Sequence, residues 1–359
     1  MKRSFSLVVL LYLCIGLSAQ NIVYTDASSL PLLGRVKSGQ IPTYARLPSA
    51  LDSVSRLPVA RLGKNSSGLS LRFRTSSTSI WLRWTNNIGY SMPHMAPAGI
   101  RGADLYILTD KGWHYAGTAL PQMEGKVSEK KMIADMDAGM KECWIFLPLY
   151  DGMASVEIGT DENCPVLEPA ADTPGRNAPM VFYGTSIMQG GCASRPGMAF
   201  SNILSRRFDC ECINLGFSGN AFIDYEIAEL MAEVENPSVF VLDWVPNANA
   251  DVINEKGEKF YRILRDAHPK VPVLFVEDPQ FAHAVFDRRM QKEISDKNRA
   301  QKALYNRLKA SGEKNIYYLE SSALLPPDGD GTVDGIHPTD YGMMHYAQAY
   351  AKLLQRILK

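Results

Sequence analysis

The spacing of hydrophobic positions changes near residue 175. Before it, Leu69, Leu71 and Phe73 alternate with Ser70, Arg72 and Arg74, the period of two of a half-buried strand. The runs Ile80 to Trp84, Asp104 to Leu108 and Cys143 to Leu147 are further strand candidates. Thr109-Asp110-Lys111-Gly112 lies between two such runs and predicts a hairpin turn, with Gly112 free to take positive φ. Many short strands punctuated by Gly, Pro and Ser predict a β-sandwich or jelly-roll domain over residues 20–175.

Glu168-Pro169-Ala170-Ala171-Asp172-Thr173-Pro174-Gly175 has the small residues and prolines of a linker. Beyond it, apolar runs at 179–183, 212–215, 239–242, 273–276 and 316–319 alternate with helical segments. One helix is predicted from Asp224 to Glu235, with Ile227, Leu230, Met231 and Val234 on one face and Asn236-Pro237 as its stop. Another starts near Thr339 and carries Met343, Ala347, Tyr350, Leu354 and Ile357 along one stripe. Five strands each followed by a helix predict an α/β domain over residues 176–359, a parallel sheet covered on both faces. In such sheets the active site lies at the carboxyl ends of the strands.

The N-terminus changes the cellular picture. Lys2 and Arg3 precede the apolar run Leu7 to Ile15, and small residues follow through Ala19. This is the layout of a secretory signal peptide over residues 1–19, and the run is short for a membrane span. Cleavage after Ala19 leaves Gln20 first, a mature chain without a membrane-spanning segment, and an extracytoplasmic location. Five cysteines then remain, so at least one thiol is unpaired or pairs between chains. Cys143 and Cys164 form either a bridge or two buried thiols. Cys210-x-Cys212 lacks a second ligand pair, and Asp328-Gly329-Asp330-Gly331 lacks the spacing of a calcium loop, so neither predicts a metal. Lys plus Arg and Asp plus Glu are both 38 in 359 residues, a balance that gives no footprint for nucleic acid.

Candidate chemistry gathers at the predicted strand ends. Gly184-Thr185-Ser186 follows the first strand, where a serine can project from a tight turn, although N-capping is the commoner use of such a residue. Met188 breaks the Gly-x-Ser-x-Gly elbow of the α/β-hydrolases. The second strand runs into Asn214-Leu215-Gly216-Phe217-Ser218-Gly219, and the third into Asp243-Trp244-Val245-Pro246-Asn247. A glycine N–H and an Asn amide there can both donate to a reacting oxygen. Asp334-Gly335-Ile336-His337 precedes the last helix, and an aspartate three before a histidine can fold back onto Nδ1.

This order of groups resembles the SGNH (GDSL-like) hydrolases over roughly residues 178–359. The resemblance implies a flavodoxin-like sheet and a serine esterase without cofactor. Ser186 would be nucleophile and backbone oxyanion donor, His337 general base and Asp334 its orienting acid. Gly219 would be the second oxyanion donor, with Gly216 as rival, and Asn247 the side-chain donor. Gly-Thr-Ser replaces the family's Gly-Asp-Ser, and Val-Pro-Asn-Ala replaces Gly-x-Asn-Asp. Gly102-Ala103-Asp104-Leu105-Tyr106 resembles the Gly-x-Asp-Leu-Tyr signature of a β-rich domain that precedes SGNH domains in secreted bacterial proteins, and Ala193-Ser194-Arg195-Pro196-Gly197 looks like its catalytic-domain partner. The implied substrate is an acylated glycan or small molecule, with acetyl esters of carbohydrate first. The alternatives are a lipid or small acyl ester, and a non-catalytic glycan-binding protein. The stretch Asn86 to Ile100 either reaches over the catalytic face or packs between domains. His94, His114, His268, His283 and His345 have no partner pattern and are expected to be structural.

Overall fold

The structure, a computed structural model, describes residues 21–170 and 178–358. The expected signal segment, residues 1–19, and residues 171–175 of the expected linker lie outside the described residues. The first half contains the strands β1 (Ile22–Asp26), β2 (Leu32–Leu33), β3 (Ser70–Thr75), β4 (Ile80–Asn86), β5 (Ala103–Thr109), β6 (Gly112–Ala119), β7 (Val127–Ile133), β8 (Lys141–Phe146) and β9 (Met153–Asp161). Two short helices interrupt them, α1 (Leu57–Leu62) and α2 (Pro97–Arg101). The strands pair antiparallel in the orders β1-β9-β4-β7 and β2-β3-β8-β5-β6. Leu71, Phe73, Leu105 and Ile145 of one sheet pack on Leu82, Trp84, Val156 and Ile158 of the other. The result is a two-layer sandwich with one apolar filling. The β5–β6 hairpin turns at Asp110-Lys111, and Gly112 takes φ 98°.

Strand β3 departs from its expected half-burial. Ser70 and Arg72, on the face predicted to meet water, are 3% and 2% exposed. The reason is that this outer face packs on the second half of the chain. The Arg72 guanidinium lies 3.7 Å from the ring centre of Trp144 and pairs with Asp209. Arg206 covers Tyr106 from the other side at 3.9 Å.

The second half contains β10 (Met180–Gly184), β11 (Cys212–Gly216), β12 (Val239–Asp243), β13 (Val273–Val276) and β14 (Ile316–Leu319), all parallel, in the order β11-β10-β12-β13-β14. Its helices are α3 (Ser186–Gln189), α4 (Phe200–Phe208), α5 (Tyr225–Ala232), α6 (Ala250–Ala267), α7 (Arg288–Ala310) and α8 (Asp340–Ile357). Phe182, Val241 and Leu274 pack on Phe200, Leu204, Tyr350 and Leu354 on one face of the sheet. Tyr183, Leu215 and Phe275 pack on Ile227, Phe260, Leu264 and Leu304 on the other. Burial on both faces explains why these strands read as continuous apolar runs. Helix α5 ends three residues earlier than expected: Glu233 N–H turns back to Leu230 O, and Asn236 takes φ 49° before Pro237. The strand order places β10 between β11 and β12, so the crevice of this doubly wound sheet opens where Ser186 follows β10.

Candidate active site

The turn after β10 frees the serine. Gly184 ends the strand, where a Cβ would meet Met188 Cβ at 2.8 Å and Asp243 O at 3.0 Å. Thr185 is the N-cap of α3, and its Oγ1 accepts from Ile187 N–H at 3.4 Å. The capping task thus falls to Thr185, not to Ser186. Ser186, 7% exposed, lies with its Oγ 2.9 Å from His337 Nε2.

His337 is held from its other side by Asp334, whose Oδ2 lies 2.7 Å from Nδ1. Asp334 Oδ1 accepts from the N–H groups of Ile336 at 3.0 Å and His337 at 2.8 Å. Gly335, at φ 91°, makes this tight return possible. Burial works to raise the Asp334 carboxyl, but the donors from His337 and Ile336 outweigh it and hold the group at about 2. The carboxylate is therefore ionised at neutral pH and only accepts hydrogen bonds, so Nδ1 carries the proton. In a neutral imidazole Nε2 is then the acceptor for the Ser186 hydroxyl.

The flanking loops differ in what they leave free. Gly216 N–H donates to Asn214 Oδ1 at 2.9 Å, and a Cβ on Gly216 would lie 2.3 Å from Gln189 N. Gly216 thus serves close packing of β11 on α3. Gly219 takes φ 66° with open space on its Cβ side, and its N–H has no acceptor among the described residues. Asn247 Oδ1 accepts from Ala221 N–H at 3.2 Å, which ties the loop after β12 to the loop after β11. Its Nδ2 has no acceptor among the described residues. Ser186 N–H, in the first turn of α3, has no intrahelical acceptor.

Two supporting residues carry no signal in the sequence. Gln189, fully buried, donates through Nε2 to Asn65 Oδ1 and Leu149 O, both at 3.1 Å, and accepts through Oε1 from Ser218 N–H at 3.0 Å. It braces the residue before Gly219 against the sandwich. Tyr150 donates its hydroxyl to Ser186 O at 3.3 Å, with Ser218 Oγ at 3.4 Å. Gln189 lies three positions after Ser186, but nothing in that spacing announces a brace whose partners come from three other segments.

The sandwich contributes further. Asp104 of the Gly102–Tyr106 motif is fully buried and accepts from Arg195 Nη1 at 2.7 Å, Gly197 N–H at 2.8 Å and Thr118 Oγ1 at 2.7 Å. The motif is thus a dock for the segment after the serine turn. His94, expected to be structural, is exposed, and its ring centre lies 5.6 Å from that of His337. The stretch 86–100 therefore reaches the catalytic face. Beside it is a cleft of about 550 Å³ lined by residues including Tyr90, Met92, Met95, Met123 and Val333. His268 and His345 bind backbone carbonyls of Ala232 and Leu324. Asp328 accepts from Asp330 N–H and Tyr341 Oη–H, turn and helix contacts within its own region. All five described cysteines are unpaired, so the Cys143–Cys164 bridge is not formed.

A doubly wound sheet with a Ser-His-Asp chain at its carboxyl edge defines the class: an SGNH-type ester hydrolase. Sequence comparison agrees. Residues 177–355 match the GDSL-like lipase/acylhydrolase family, and residues 22–166 match the Gly-x-Asp-Leu-Tyr N-terminal domain of SGNH-hydrolase-type esterases. A protein of Bacteroides ovatus described as a GDSL-like lipase is 32% identical, with 94% of this chain and 98% of that chain covered and a TM-score of 0.88. The chain belongs to the GDSL-like lipase/acylhydrolase family. The salicylyl-acyltransferase of a tetracycline biosynthetic pathway shares the fold at 16% identity, with 95% and 98% covered and a TM-score of 0.74. So does a family two carbohydrate esterase of Clostridium thermocellum, solved with cellohexaose, at 11% identity, 81% and 93% covered and a TM-score of 0.58. None of the curated proteins matches the chain. Among the described residues no helix is long and apolar enough to cross a membrane.

Proposed function

We propose that this esterase removes short acyl groups, acetyl first, from carbohydrate by a two-step acyl-enzyme mechanism. The observation that carries the reading is the unbroken chain Ser186 Oγ, His337 Nε2, His337 Nδ1, Asp334, with links of 2.9 and 2.7 Å. Ser186 attacks the ester carbonyl as its proton passes to His337 Nε2, and Asp334 stabilises the imidazolium. The oxyanion is held by the N–H groups of Ser186 and Gly219 and by Asn247 Nδ2, three donors without an acceptor among the described residues. His337 returns the proton to the leaving alcohol. Water then enters by the same route and releases the acid.

The carbohydrate choice is supported by an architecture shared with a carbohydrate esterase and by the layout of residues 1–19, which fits export to where such polymers lie. In this reading residues 20–175 and 176–359 are two domains that build one site together. The test is acetate release from acetylated polysaccharides by the purified chain, with Ser186→Ala as the blank. Equal release by Ser186→Ala removes the nucleophile assignment, and N-terminal sequencing of exported protein checks for Gln20 as first residue. One observation favours a second reading, esters of larger apolar acids: the cleft beside His94 is lined by Tyr90, Met92, Met95, Met123 and Val333. Rates on p-nitrophenyl esters of increasing length separate the two, because a deacetylase declines beyond the shortest acyl chains.

A further inference from the structure

One cluster of metal-ligating side chains is present among the described residues, and it shares His337 with the triad. His94, Cys192 and His337 each offer one ligand atom, and these atoms lie within 4.8 Å of one another. They come from three segments: the stretch between β4 and α2, the turn after α3, and the loop before α8. Zinc bonds of about 2.0–2.3 Å in a tetrahedral site hold donor atoms about 3.3–3.8 Å apart, so closure around a metal needs a shift of about 1 Å. His94 is exposed and can supply it, whereas Cys192 is buried.

We propose that these three residues form an inhibitory site for a thiophilic divalent cation, zinc first, which stops turnover by withdrawing His337 from the triad. The logic does not depend on which imidazole nitrogen the metal takes. Nε2 is the acceptor for Ser186 and Nδ1 is the donor to Asp334, so coordination at either breaks one of the two links. Binding is a simple exchange: the Cys192 thiol gives its proton to solvent, the thiolate sulfur and two imidazole nitrogens enter the metal's shell, and water fills the fourth position. No electron is transferred. Imidazole and thiolate select zinc or cobalt over magnesium and calcium, which take oxygen ligands. The inhibition rests on the reading of His337 as base; the metal binding does not.

The experiment uses the full chain with zinc, cobalt, magnesium and calcium salts. Zinc is expected to inhibit ester hydrolysis reversibly, with activity restored by a chelator, while magnesium and calcium leave the rate unchanged. Cobalt is expected to add a thiolate-to-metal absorption band in the near ultraviolet. His94→Ala and Cys192→Ala, each compared with its own metal-free rate, should raise the half-inhibiting zinc concentration more than about tenfold, since even outer-shell partners cost that much affinity. The band should vanish in Cys192→Ala and persist in Ser186→Ala, whose lack of turnover separates the metal site from the catalytic reading. His94→Ala alters an exposed side chain and serves if Cys192→Ala fails to fold. A wild-type chain without the cobalt band, or zinc inhibition equal in wild type and both variants, overturns the proposal.

Discussion

Arg195→Ala tests how the sandwich holds the catalytic half. Asp104 is fully buried, and its Oδ2 receives Arg195 Nη1 at 2.7 Å and Gly197 N–H at 2.8 Å, while Oδ1 receives Thr118 Oγ1. Arg195 also donates to Tyr106 Oη at 2.8 Å and lies 4.0 Å over the Tyr115 ring. Removing the guanidinium leaves a dry carboxylate with two neutral donors. Breaking a buried pair from one side costs about 3–5 kcal/mol. At about 2 °C per kcal/mol for a chain of this size, the melting temperature should fall by about 6–10 °C. The double variant Arg195→Ala/Asp104→Asn should melt above Arg195→Ala alone, because a neutral amide needs no counter-charge. Burial already pushes the Asp104 carboxyl above its ordinary 3.8, with Arg195 offsetting part of that rise. Without Arg195 it rises further, so the penalty is absent below about pH 4, grows as pH climbs toward the folded value and is complete above it. The gap between variant and wild type should therefore narrow in acid. Scanning calorimetry at pH 5 and pH 8 measures all of this. A loss under about 1 kcal/mol, or a double variant that melts lower than Arg195→Ala, refutes the reasoning.

Three further outcomes are expected. Asn247→Ala should lower kcat by roughly 100–1,000-fold through the lost oxyanion donor; Asn247→Asp, which keeps the acceptor for Ala221 N–H but puts a charged oxygen where the donor was, should be at least as impaired, and steady-state kinetics on one activated ester compares them. Asp334→Asn should cut kcat by up to about 10⁴-fold with little change in KM, since the amide no longer fixes the Nδ1-protonated tautomer; in the wild type the carboxyl, held at about 2, contributes stability that is present above pH 4 and is lost as pH falls toward 2. Asp278 is 1% exposed and burial pushes it up to about 7, with Lys297 offsetting part of that rise; its cost is absent below about pH 4 and complete above pH 7, so Asp278→Asn should gain on wild type by on the order of 2–4 kcal/mol between pH 5 and pH 8 in urea melts.

How far the fold could be read depended on whether burial repeats along one element. The strands β10 to β13 are buried on both faces, the edge strand β14 is buried at its two ends, all five stand out as apolar runs, and β4 alternates as a strand between core and surface should. Strand β3 misleads because Arg72 is polar by composition yet spends its charge on Asp209 and its flat face on Trp144. That environment is made by residues more than 70 positions away. The site follows the same rule. Ser186, His337 and Asp334 are legible because each sits at a strand end or beside another member. The different surroundings of Gly216 and Gly219, the two candidate donors, are not visible in the sequence, since only a structure reveals that Gln189 fills the space a Cβ on Gly216 would take. Gln189, Tyr150 and His94 act through contacts between segments, and no periodicity carries that information.

These cross-segment contacts also decide what the sandwich is for. Arg46, fully buried, donates to Asn214 O at 3.0 Å and Gly216 O at 2.7 Å in the catalytic half, and to Leu62 O and Asn65 O in its own. Burial pulls its guanidinium down to about 9, so the carbonyl cage holds a cation that the surrounding protein disfavours. With Gln189 on Leu149 and Asn65, and Tyr150 on Ser186, every loop that supplies a proposed oxyanion donor is tied to residues 46–150 directly or through one neighbour. An oxyanion hole stabilises its charge only if the donors are already in place before the charge forms. A catalytic half without its sandwich would take Arg46 from the Gly216 and Asn214 carbonyls and both acceptors from Gln189 Nε2, and the donor geometry held by these contacts would relax. The β-rich half is therefore a structural part of the proposed active site, and any contact it makes with substrate through the stretch 86–100 is additional to that task.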